Sequence, residues 1–146
     1  MAVCNTLKMT LAKALKAKKL KVTKARITIA TILEQAKNPL KIEALFNTIP
    51  EPKPDLVTIY RILENFEKVG LVRQVDLRHG HAHYEWSAEN HHHHMICTVC
   101  HTIFPLHDEE IEIFIKKITQ KNRKQFKIND HALEFFGICS ICIHNV

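Results

Sequence analysis

Residues 55–75 read Asp55-Leu56-Val57-Thr58-Ile59-Tyr60-Arg61-Ile62-Leu63-Glu64-Asn65-Phe66-Glu67-Lys68-Val69-Gly70-Leu71-Val72-Arg73-Gln74-Val75. Asp55 is a short acceptor side chain of the kind that caps the free N–H groups of a helix start. Val57, Ile59, Ile62, Leu63, Phe66 and Val69 then recur at helical spacing and are expected to face inward, leaving Thr58, Tyr60, Arg61, Asn65 and Lys68 on other faces. Gly70 is placed to end the helix, because glycine adopts the left-handed conformation without a steric penalty. Residues 71–75 and 81–86 read as two strands joined by a turn around His79-Gly80.

Upstream, Leu7, Leu11 and Leu15 mark an amphipathic helix with a basic face. Thr23 is suited to cap a second helix over 24–35, with Ile27, Ala30, Ile32 and Leu33 turned inward, until Asn38-Pro39 breaks it. Ile42, Leu45 and Phe46 mark a short third helix, stopped by the proline-rich loop 50–54. Helices followed by a hairpin give the order of a winged helix-turn-helix.

Downstream the texture changes. His81, His83 and the run His91-His92-His93-His94 lead into Cys97-Thr98-Val99-Cys100, and a second pair, Cys139-Ser140-Ile141-Cys142, lies near the C-terminus. Short strands are expected at 95–97, 102–104, 126–128 and 132–136, with a helix from 108 to about 124. The fold class is therefore α+β: a winged-helix domain over residues 1–86 and a small α/β metal-binding domain over 87–146.

Charge divides the chain in the same way. The net charge is +6, and the first 26 residues hold eight basic side chains and no acid. Every one of the eleven histidines stands at position 79 or later. A basic half beside a ligand-rich half points to a polyanion partner and a metal. No stretch has the apolar length of a membrane span or of a secretory signal core, so a cytoplasmic location and no membrane partner are expected.

In a reducing compartment, Cys-x-x-Cys pairs hold metal more readily than they form disulfides. Each pair puts two thiolates on one tight turn, so Cys97, Cys100, Cys139 and Cys142 can close one tetrahedral zinc site with no open position. The four consecutive histidines carry a further signal. Along a strand, successive side chains alternate, so His91 and His93 face one way and His92 and His94 the other. One run can then serve two metal sites. Nothing like His-Glu-x-x-His accompanies them, which argues against hydrolytic zinc chemistry and against an enzyme. The basic N-terminus, Lys19 included, would neutralise phosphates, while the helix after Asp55 would read base edges in the major groove.

Taken together, these motifs resemble the ferric uptake regulator family of dimeric metal-sensing repressors. The resemblance rests on Lys21-Val22-Thr23-x-x-Arg26, on Val57-Thr58-Ile59-Tyr60-Arg61-Ile62-Leu63-x-x-Phe66, on the run from His91 to Cys100, and on His131-x-Leu133-x-Phe135-x-Gly137-x-Cys139-x-x-Cys142. It implies a Cys4 structural zinc in a dimerisation domain and a regulatory metal at a hinge site of Glu85, His92 and His94. It implies a second site of His91, His93, Glu112 and His131. Tyr60 matches the family's base-contacting position, with Thr58 and Arg61 beside it, and Lys21 and Arg26 match its DNA-contacting positions. Pro39 and Pro105 stand where the hinge site often draws a histidine and a carboxylate; His81, His83 and His107 are the open substitutes. The expected function is a homodimeric repressor that binds palindromic double-stranded DNA operators in response to zinc, with iron the alternative. A peroxide sensor of the same fold and a zinc-storage protein are the rival readings. Imidazole-rich coordination favours zinc.

Overall fold

The computed structural model describes residues 2–77, 80–87 and 92–144, with side chains described from residue 9 onward. The chain divides into two compact units, Met1–Glu89 and Asn90–Val146.

The first unit runs α1 (Ala2–Ala17), α2 (Lys24–Gln35), β1 (Leu40–Lys41), α3 (Ile42–Thr48), α4 (Leu56–Lys68), β2 (Val72–Asp76) and β3 (Ala82–Trp86). The three strands form one antiparallel sheet in the order β1-β3-β2, with Val72 opposite Trp86 and Leu40 opposite Tyr84. Leu11 and Leu15 of α1, Ile29 and Leu33 of α2, Leu45 of α3, and Ile59, Leu63 and Phe66 of α4 converge on one buried core. Trp86 meets Phe66 edge-on at 6.0 Å between ring centres. Packing here overrides propensity. Helix α2 contains Ile27, Thr28, Ile29, Thr31 and Ile32, each costing up to about 0.7 kcal/mol in helix preference, whereas burying one large aliphatic side chain returns about 1.5–3 kcal/mol.

The helix ends follow from their residues. The Thr23 hydroxyl accepts from Arg26 N at 3.3 Å, and the Asp55 carboxylate accepts from Thr58 N at 2.6 Å. That backbone N–H holds the Asp55 carboxyl below its usual range. Gly70, at φ 72°, ends α4 with Gly70 N donating to Glu67 O and Leu71 N to Phe66 O, the paired pattern of a Schellman stop. Helix α1 closes in the same way, Lys19 N donating to Lys16 O and Leu20 N to Leu15 O, but its left-handed position holds Lys19 at φ 58°. A Cβ in that conformation costs on the order of 1 kcal/mol, partly offset by the stiffer unfolded chain. Lys19→Gly is therefore expected to keep or raise the melting temperature in thermal unfolding; a clear drop would contradict this account of the stop.

One inward expectation is corrected. Val57 is 59% exposed, because at about 100° per residue it shares the outward face of Arg61 and Glu64, opposite the face of Ile59, Leu63 and Phe66.

The second unit runs β4 (His93–Cys97), β5 (Ile103–Leu106), α5 (Glu109–Asn122), β6 (Glu134–Gly137) and α6 (Ser140–Ile143). Its sheet order is β5-β4-β6, with β4 antiparallel to β5 and parallel to β6. Asp108 caps α5, its Oδ1 accepting from Glu110 N and Ile111 N. Residues 126–128 do not form the expected strand. Their approach is turned back on the helix end, with Gln125 N and Phe126 N both donating to Asn122 O at 2.9 Å, and Phe126 is exposed.

The second unit has little core. Among its described residues the buried apolar side chains are Ile96, Cys97 and Cys142. By contrast, Met95 lies opposite both Phe104 and Phe135, and all three are at least 37% exposed. They form an apolar row across one face of the sheet.

Candidate metal centres and nucleic-acid face

The parallel pairing of β4 with β6 assembles the cysteine site. Cys97 stands opposite Gly137, so both strands leave the sheet at the same end and deliver their Cys-x-x-Cys turns to one place. Thr98 fastens the junction, its N–H donating to Gly137 O at 2.8 Å and its hydroxyl to the same oxygen at 3.1 Å. The Sγ atoms of Cys97, Cys100, Cys139 and Cys142 all lie within 4.8 Å of one another, and none is in a disulfide. Zinc bonded tetrahedrally to sulfurs at about 2.3 Å would hold them about 3.8 Å apart; Cys100 and Cys139 are already 3.7 Å apart.

Backbone dipoles favour thiolate at one position and burial opposes it at another. Amide donation from Cys100 and Cys139 pulls the Cys97 thiol down to about 6. Burial, then the neighbouring sulfurs, push Cys142 up to about 12. Four thiolates at this spacing need a divalent cation to coexist, so the donor set fits a structural zinc.

Strand β4 separates its histidines. His93 is buried, its Nε2 lies 3.2 Å from Glu112 Oε1, and its ring centre is 5.5 Å from that of His131. Three members of the expected second site thus meet inside one unit; His91 lies outside the described residues. On the other side, His92 and His94 have ring centres 4.8 Å apart, and His107 stands 5.4 Å from His92. Glu85 lies on β3 of the first unit, where it is buried and stands opposite Arg73. His83 is buried in that same unit, its Nδ1 3.1 Å from His81 O.

The outward side of α4 carries Leu56, Val57, Tyr60 and Arg61, with Tyr60 50% exposed and Thr58 half-buried. Lys19 and Lys21 are exposed as well, and Arg26 Nη1 donates to Lys21 O at 2.8 Å, tying the α1–α2 corner together. One feature escaped the sequence reading: the apolar row Met95, Phe104 and Phe135, which alternation within the short strands could have shown. Of the open substitutes His81, His83 and His107, it is His107 whose ring stands against His92.

Among the described residues, no helix is long and apolar enough to cross a membrane. The model of the ferric uptake regulator family matches residues 17–136. The ferric uptake regulation protein of Legionella pneumophila is 40% identical over 120 residues, covering 80% of this chain and 87% of that protein. Among solved structures, the ferric uptake regulator of Pseudomonas aeruginosa with manganese aligns with a TM-score of 0.73 at 28% identity, over 89% of this chain and 98% of that one. The Helicobacter pylori regulator, described as having three functional metal binding sites, aligns at 0.71 and 26%, over 96% and 93%.

Proposed function

Since the chain belongs to the ferric uptake regulator family and is a metal-responsive transcriptional regulator rather than an enzyme, we propose that it is a zinc-dependent repressor. In this reading it binds palindromic operators as a homodimer. Residues 1–86 contact DNA, and residues 87–146 dimerise and hold metal. Regulatory zinc binds Glu85, His92 and His94; the second site uses His91, His93, Glu112 and His131. Metal at the regulatory site sets the spacing of the two winged helices in the dimer, and without it the operator-binding arrangement is one of several.

The observation that carries the reading is the sorting of one strand's histidines into two donor groups beyond the Cys4 cluster. A closed Cys4 zinc already meets the need of a small core, so further imidazoles have another use. The homodimer is supported by the apolar row Met95, Phe104 and Phe135, which a second copy of the sheet would cover. Iron is the second reading, favoured by the ferric regulator names of the relatives; the imidazole-rich donors favour zinc.

The test uses a duplex selected from a randomised pool in the presence of zinc. Tyr60→Ala is expected to lower the preference for this duplex over random DNA about tenfold, from roughly 1–3 kcal/mol of lost base discrimination. Lys19→Gly is expected to weaken both DNAs alike and to reduce the salt slope by about one. Equal losses on both DNAs for Tyr60→Ala would refute base reading there. Repeating the titration with anaerobic ferrous iron decides the metal: zinc alone should promote binding at buffered, trace free concentrations.

A further inference from the structure

We infer that His107 is a ligand of the regulatory metal, completing an imidazole set with His92 and His94. The inference rests on the regulatory site proposed above and adds a residue to it. Pro105 stands directly opposite His94 across the β4–β5 pair and offers no donor side chain. His107, the residue just past the end of β5, instead brings its ring against that of His92.

The spacing of the rings supports it. A metal about 2.0–2.1 Å from a coordinating nitrogen lies about 3.2 Å from that ring's centre, so two imidazoles at a tetrahedral angle have centres about 5.2 Å apart. The pairs His92–His94 and His92–His107 stand at 4.8 and 5.4 Å.

The neighbouring donors are otherwise engaged. Asp108 is committed to the α5 cap, where one oxygen accepts two backbone N–H groups. Glu112 lies against His93 at the second site. Three imidazoles with the carboxylate proposed above make four donors, a number and chemistry that suit zinc better than a harder, six-coordinate ion.

The test measures metal affinity on the full chain with its Cys4 site filled, by competing zinc against a chromophoric chelator. His107→Ala is expected to weaken the regulatory zinc by more than the roughly 10–100-fold that losing an outer-shell partner costs, with no change in the Cys4 zinc. His107→Glu is expected to restore a donor and move the preference from zinc toward anaerobic ferrous iron. His92→Ala serves as the control for the site itself. If His92→Ala loses the metal and His107→Ala binds zinc within tenfold of wild type, His107 is not a ligand and the regulatory site stands without it. If neither variant changes zinc affinity, the regulatory site is elsewhere and both readings fall.

Discussion

Cys139→Ser is expected to lose one zinc per chain and to collapse the second unit. A serine hydroxyl does not replace a thiolate at zinc, and the remaining three sulfurs would be left crowded on two turns within 4.8 Å of one another. Zinc binding to structural sites is worth on the order of 10–16 kcal/mol in small zinc-dependent domains. Among the described residues, the buried apolar side chains of this unit, Ile96 and two of the cysteines themselves, cannot make up such a loss. The expected readouts are loss of zinc by metal analysis, a monomer in sedimentation, and loss of the cooperative unfolding transition of the second unit. Cys4→Ser, which lies outside both Cys-x-x-Cys pairs, is expected to change none of these. A Cys139→Ser protein that keeps its zinc, its dimer and its melting temperature would show that the cluster is not structural.

The second large effect is expected at the histidine run. His92→Ala and His94→Ala each remove one imidazole from the proposed regulatory set and should abolish metal-dependent DNA binding, while the Cys4 zinc stays. His131→Ala, on the other side of the sheet with His93, should lower metal content but leave part of the response. A floppy histidine tract would instead lose affinity gradually with each substitution, without regard to odd or even position. Metal stoichiometry measured on the three variants separates the two behaviours.

How much could be read in advance depended on which forces act locally. Helix α4 was legible because Ile59, Ile62, Leu63 and Phe66 repeat at helical spacing and Asp55 and Gly70 mark its ends. Its first turn was not, since Val57 is apolar yet lies on the face of Arg61 and Glu64, away from the stripe of Ile59, Leu63 and Phe66. The two-residue strand β1 escaped notice because Leu40 and Lys41 are too few to show a period, and only pairing with Tyr84 and His83 makes them a strand. Residues 126–128 alternate like a strand, yet the chain entering them turns back on the helix end, Gln125 N and Phe126 N both donating to Asn122 O. The cysteine cluster was legible from spacing; its assembly, from the parallel register of Cys97 with Gly137, was not. The histidine alternation could be read from the sequence alone, whereas singling out His107 among the open substitutes required its ring contact with His92.

The central claim is that metal at His92 and His94 switches DNA binding on. The most direct measurement is the affinity of the full-length protein for its selected duplex across a buffered free-zinc series, beside His94→Ala over the same series. The account predicts that wild type with its Cys4 site filled binds weakly at the lowest free zinc. It should tighten by at least about 100-fold as the regulatory site fills, a coupling of roughly 2.7 kcal/mol. His94→Ala should stay weak throughout. Wild-type affinity that does not change across the series, or a His94→Ala curve that overlays the wild type, would contradict the claim.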